Sequence, residues 1–205
     1  MRKVDPARHQ ARRRHIMTAA APLFAAHGLE GTSTARIREA AGVSSGTLFH
    51  YFPSKRAILV ALLTDDDGDG AAHLAAAREG ADPRASLLDL VERLAAPVAS
   101  PVSAGLVMEG LRQAQHDPEL ARALEAGSAS ESEALTHLLD RVAREGRGRP
   151  VLGARATAAW IQTLIGALFL RAATETGFDA TTHLRDLRPV VGRLVGGDDG
   201  PPAER

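Results

Sequence analysis

Cysteine is absent from the 205-residue sequence, which excludes disulfides and thiolate metal sites and fits a reducing compartment, by default the cytoplasm. Aromatic residues are scarce, one Trp, one Tyr and five Phe, so a small-molecule pocket in this chain would suit a modest apolar ligand better than a stack of flat rings. Long apolar runs are lacking as well. The most apolar stretch, Ala156 to Leu170, is interrupted by Thr157, Gln162 and Thr163 and falls short of the roughly 20 residues needed to cross a bilayer; no membrane partner is expected. The N-terminus is basic from Arg2 and Lys3 onward and has no apolar core of a secretory signal. The eight histidines do not group at metal-ligand spacing. Asp65 to Asp69 lacks the ordered ligand loop of a calcium hand, which leaves it as an acidic linker. No cofactor, metal or catalytic residue is assigned, because no nucleophile, base and orienting carboxylate assemble from motifs.

Net charge is also absent, but the zero hides an asymmetry. Residues 1–56 carry ten Lys and Arg against three acids, and the remainder carries fifteen against twenty-two. A basic segment on an acidic body fits a nucleic-acid reader with a separate regulatory or assembly domain. A basic tail that only adds solubility would give the same balance.

With 44% apolar residues the chain has ample material for a core, and the apolar pattern is helical throughout. Ile16, Ala20, Leu23 and Phe24 fall at helical spacing before Gly28. Thr32, Ser33 and Thr34 offer an N-cap for a short helix through Ile37 that Gly42 ends. Ser44 caps a third helix through Leu48 and Phe52, closed by Pro53. A fourth begins after Ser54. Further starts are marked by Asp82-Pro83, Ser100-Pro101 and Asp117-Pro118, with proline at the first helical position. Two late helices run from about Ala154 to Glu175 and from Asp179 through Leu194. No segment alternates with a strand's period, so the chain is expected to be all-α with about nine helices.

Two short helices around Gly42 form a helix-turn-helix, which lays its second helix in the DNA major groove. Ser44, Ser45 and Gly46 leave the start of that helix almost bare, so that its free N–H groups can approach phosphate. Gly46 costs about 1 kcal/mol of helix stability relative to alanine. Close approach of the backbone to DNA would explain that cost. Lys55 and Arg56 stand at the start of the fourth helix, where a cation opposes the helix dipole unless a phosphate lies between.

The run GTSTARIREAAGVSSGTLFHYFPSKRAIL, residues 31–59, resembles the DNA-binding domain of TetR-family transcriptional regulators, and the likeness covers about Arg12 to Leu63. It implies that Ser33 and Thr34 contact phosphate and that Ser45, Gly46 and Thr47 face the groove. Phe49 and Tyr51 take aromatic positions that reach bases or backbone, and Lys55 takes the family's phosphate-binding lysine. His50 beside them faces either the first-helix core or the DNA edge. Two positions depart from the pattern. Phe49 stands where many relatives have tyrosine, and Arg38 stands where many have alanine; Arg38 either reaches a phosphate or snorkels outward.

The resemblance divides the chain into a DNA-binding domain at residues 10–70, with its motif at 33–52, and a larger helical effector-binding and dimerisation domain at 71–196. Residues 1–9 and 197–205 are left as flexible tails. A single recognition helix reads few base pairs, so a homodimer on a near-palindromic DNA operator is expected. The late apolar helices are core or interface, with Ile161, Ile165, Leu168, Leu187 and Val191 as interface candidates. Met108, Leu111, Trp160 and Leu164 are candidate walls of a small-molecule effector pocket. The expected function is a sequence-specific transcriptional regulator, a repressor that an effector releases. An activator or a ligand-independent regulator would share these features. The rival from another class is an all-α binding protein or enzyme with a vestigial helix-turn-helix, which would have no reason to keep the bare helix start and Lys55.

Overall fold

The structure, a computed structural model, describes residues 6–64 and 69–196. Among the described residues there are ten α-helices, one 3-10 turn at Ala96–Ala99 and no strand. The helices are α1 (Pro6–Gly31), α2 (Thr34–Ala40), α3 (Ser45–Tyr51), α4 (Lys55–Thr64), α5 (Asp69–Glu79), α6 (Pro83–Ala95), α7 (Pro101–Ala114), α8 (Pro118–Arg144), α9 (Ala154–Thr174) and α10 (Ala180–Val195). The acidic linker expected at 65–69 lies, up to residue 68, outside the described residues, and so does the tail expected at 197–205. Of the tail expected at 1–9, residues 6–9 are helical, because Pro6 at the first helical position is already set to helical φ.

The chain clusters into two compact units, Met1–Asp66 with Pro101–Leu124, and Asp67–Ser100 with Glu125–Arg205. This grouping differs from a division at residue 70. The helix that joins the N-terminal set is α7, and close packing explains why. A Cβ on Gly105 of α7 would lie 2.9 Å from Ala25 Cβ and 3.0 Å from Ala25 O, and one on Gly110 would lie 3.0 Å from Leu63. Small residues on α7 thus let it approach α1 and α4 more closely than any side chain would allow.

The first unit is built on Ile16, Ala20, Phe24, Ile37, Leu48, Phe52, Ile58 and Leu59, all buried. The second buries Leu87, Val91, Leu135, Leu138, Leu139, Val142, Ala158, Ile161 and Val191. The proline-marked starts behave as caps. Asp82 accepts from the N–H groups of Arg84 and Ala85 at 2.9 and 3.2 Å, Asp117 from Leu120 N–H at 3.1 Å, and Asp179 from Thr182 N–H at 3.1 Å. At the other end of α10, Arg84 donates to the Gly196 carbonyl at 3.0 Å, and Arg188 holds Asp89 and Glu92 of α6 at 3.0 Å each.

Helix α5 is the addition to the nine expected from sequence. Its residues 71–77, AAHLAAA, give no contrast between faces, so periodicity cannot find it. Leu74 and Ala77 nevertheless pack against the second core. Arg141 of α8 donates to the carbonyls of Arg78 and Gly80 at 2.8 and 2.9 Å, which satisfies the helix end.

Candidate nucleic-acid interface

Helix α1 breaks at Gly28, whose φ of 68° and ψ of 177° end the helical run. Only glycine adopts such a conformation without strain. The break frees backbone groups, and three side chains take them up. Thr32, itself buried, donates its hydroxyl to the carbonyls of Gly28 and Leu23 at 2.8 and 3.1 Å. Lys55 Nζ donates to the Leu29 carbonyl at 2.8 Å. Glu109 of α7, only 7% exposed, accepts from Leu29 N–H at 2.6 Å.

The Glu109 carboxylate is otherwise held by Arg112 at 2.8 and 2.9 Å and by Gln113 at 2.9 Å. Burial pushes its carboxyl upward, but the bonds from Arg112, Leu29 N–H and Gln113 outweigh burial and leave it below the ordinary glutamate range. Sequence reasoning passed over Glu109 because a glutamate in VMEGLRQ reads as part of a solvated face.

From this end the chain enters the helix-turn-helix. Ser33 is the N-cap of α2 and accepts from Arg36 N–H at 3.2 Å. Ile37 is buried beneath it. After Ala41 the turn needs Gly42, with φ of 59°, and not for space, since a Cβ there would meet nothing within 4 Å. His15 of α1 sits 2.8 Å from the Ala41 carbonyl and fastens the turn to the core. Ser44 then caps α3, its Oγ accepting from Thr47 N–H at 3.1 Å and lying 2.9 Å from Thr47 Oγ1. Leu48 and Phe52 anchor α3 to the first core, and the Arg13 guanidinium covers the Phe52 ring at 4.5 Å.

One face of α3 has no cover from the described residues. Ser44, Ser45, Gly46, Phe49 and His50 are exposed, Thr47 is half-buried, and Phe49 keeps 51% of its surface. Gly46 has an ordinary helical backbone, and a Cβ on it would reach only Ser44 Oγ at 3.9 Å. Nothing in the fold calls for glycine there. On α2, Ser33 and Arg38 are exposed and Thr34 is half-buried. His50 points away from the first core; it stands edge-on to Tyr51, 5.0 Å between centroids.

Lys55 and Arg56 are more occupied than the sequence suggests. Lys55, besides its bond to Leu29, lies 3.6 Å from the Glu30 carboxylate and keeps 28% of its side-chain surface. Arg56 forms a fork onto Asp117 at 2.6 and 2.8 Å and reaches Glu119 at 2.9 Å. The Arg56 fork holds the Asp117 carboxyl down at about 2, and Asp117 in turn raises Arg56 above its ordinary range. Arg56 thus ties α4 to the start of α8, and Lys55 donates to the Leu29 and Glu30 carbonyls at 2.8 and 3.5 Å with the Glu30 carboxylate beside it.

The candidates in the larger part of the chain separate. Ile161, Ile165, Leu187 and Val191 are buried in the second core, which makes these four core residues, and Leu168 packs against it half-buried. The apolar surface of α9 lies on its other side, where Ala156, Ala159, Trp160, Thr163, Gly166, Ala167 and Leu170 are exposed. Trp160 and Leu170 keep 54% and 51% of their surface. At 21 residues α9 is long and apolar enough by composition to cross a bilayer, but its opposite face carries the second core. The pocket candidates are divided between the two units. Met108 is half-buried and Leu111 exposed in the first unit, while Leu164 packs on the second core and Trp160 is exposed. A cleft of about 570 Å³ in the second unit is lined by Ala129, Ser132, Glu133, Thr136, His137 and Asp140 of α8 with Arg155, and by none of those four.

Residues 16–62 match the family described as "Bacterial regulatory proteins, tetR family". The chain is 30% identical over 175 residues to the HTH-type transcriptional repressor Rv1474c of Mycobacterium tuberculosis, covering 85% of this chain and 89% of that protein. It is 28% identical over 178 residues to the HTH-type transcriptional repressor AcnR of Corynebacterium efficiens, with the same coverage of each. Among solved structures, a TetR transcription regulator from Haloarcula marismortui superposes with a TM-score of 0.73 at 21% identity, covering 90% of this chain and 96% of that one.

Proposed function

Because this chain belongs to the TetR family of bacterial regulatory proteins, we propose that its exposed α3 face reads an operator in the major groove while α2 and Lys55 hold the flanking phosphates. The protein is a DNA-binding transcriptional regulator. Gly46 is the observation that carries the groove reading: a costly glycine at the start of the recognition helix, with open space where its side chain would be, is explained by a partner's surface. Ser33, Thr34, Arg38 and Ser44 border that surface as phosphate contacts; Ser45, Thr47, Phe49, His50 and Tyr51 present side chains toward bases or backbone.

The regulator acts in the cytoplasm as a homodimer. The exposed stripe of α9, with Trp160 and Leu170 as its large residues, supports this assembly, since a stripe of that kind on a soluble chain is an association surface. The protein represses, and a small molecule bound to the second unit releases it by favouring a state with lower operator affinity. Coupling between effector and operator runs through α7 and α8, whose Glu109 and Asp117 hold the ends of α1 and α4.

Two substitutions separate grip from reading, measured by fluorescence anisotropy on a duplex recovered from the genome by footprinting. Lys55→Ala is expected to weaken every sequence alike and to reduce the salt slope by about one. Thr47→Val is expected to change which base pairs are preferred, with a discrimination of about 1–3 kcal/mol at the affected step. An unchanged preference in Thr47→Val would remove Thr47 from base readout.

A further inference from the structure

The exposed face of α3 continues onto the first turns of α1 through a residue with no role so far. The His9 ring lies 4.7 Å from Tyr51, tilted by 44°, and 6.3 Å from His50 at 77°. His50 and Tyr51 are themselves 5.0 Å apart at 84°. Two imidazoles and a phenol from two helices thus form one cluster, half-exposed at its edge. His9 and His50 make no hydrogen bond to another described residue, so ring contact alone places them, and their nitrogens stay available to solvent or a ligand.

The surroundings are cationic. Arg8, Arg12 and Arg13 flank His9 on α1, and α3 contributes no acid. Of the acids described in this unit, Glu30 faces Lys55, Glu109 holds Arg112, and Asp117 and Glu119 hold Arg56; Glu39 lies exposed on α2. Asp5, four residues before His9 in sequence, is outside the described residues.

We propose that His9 and His50, joined through Tyr51, extend the DNA-contacting surface onto α1 and make operator binding proton-coupled, so that the complex tightens as pH falls. The inference rests on the α3 face being the DNA-reading surface. Histidine is the side chain that changes charge in this range. A phosphate opposite an imidazole favours the charged form, and each unit by which DNA raises an imidazole's pKa is a tenfold gain in affinity, on the order of tenfold per histidine. The gain is complete below the free-protein value and disappears as pH rises through the DNA-bound value.

The test uses the full chain, the footprinted duplex and a mixed-sequence duplex of equal length, at fixed ionic strength between about pH 8 and about pH 5.5. The unsubstituted protein is expected to tighten on both duplexes by roughly ten- to a hundredfold toward the acid end. His9→Gln and His50→Gln are each expected to lose part of that gain, and the double variant nearly all of it, so that its affinity no longer rises toward acid pH. His50→Arg, permanently charged, should bind tightly at both ends. An unsubstituted protein that binds DNA equally at every pH, or a double variant that keeps the full gain, overturns proton coupling and leaves the DNA-reading surface standing. Failure to bind either duplex at any pH overturns both.

Discussion

Replacing Glu109 by alanine is expected to destabilise the protein by about 2–4 kcal/mol, because it strands a buried backbone donor and an arginine whose partner was buried. Glu109 is the residue through which α7 holds the broken end of α1. Its carboxylate receives Leu29 N–H, both arms of Arg112 and the amide of Gln113. Glu109→Gln keeps one acceptor and the shape, and should lose about half as much. The carboxyl is held below its ordinary range in the folded protein. Its contribution is therefore complete above the unfolded-state value and is lost as pH falls through the lowered folded value. Urea unfolding followed by circular dichroism at neutral and acid pH measures both effects. A Glu109→Ala variant as stable as the parent would show that α1 and α7 are held by packing alone.

Replacing Trp160 by glutamate on the exposed side of α9 is expected to leave the second core intact and to give a monomer. Trp160 keeps more than half of its surface, so a charge there costs the fold little, whereas facing its symmetry mate it would be desolvated beside a like charge. Loss of the second recognition helix should then weaken binding to a symmetric duplex by on the order of a hundredfold or more, the scale on which bivalence acts. Leu170→Glu, at the far end of the same stripe, should behave in the same way. Light scattering gives the mass and anisotropy the affinity; a dimer that persists in both variants would move the interface off this face.

The fold was legible wherever a signal was local. Asp82, Asp117 and Asp179 announce helix starts because each cap is made within a few residues, and the turn at Gly42 announces itself through a backbone that only glycine adopts readily. What stayed hidden depends on groups distant in sequence. Lys55 meets a carbonyl 26 residues away, Arg56 a carboxylate 61 away, and Glu109 an amide 80 away. No window of sequence contains those pairs.

The exposed side of α9 was hidden for a different reason. A helix apolar on most of its circumference gives periodicity nothing to orient by, so Ile161 and Ile165 could not be told from Trp160 and Leu170 until the second core showed which side it used. The α3 surface was legible in full as residue types, from Ser44 to Tyr51. That Gly46 is not required by the protein's own packing, and that His9 joins the cluster from α1, needed the neighbouring atoms.

Selection of bound fragments from the genome by the intact protein, followed by footprinting across a salt series, tests the central claim most directly. A regulator with two α3 helices should recover a near-palindromic sequence whose half-sites lie about one helical turn, or a multiple of it, apart, and affinity should fall steeply with salt. Recovery of no common sequence, together with an affinity indifferent to salt, would contradict it.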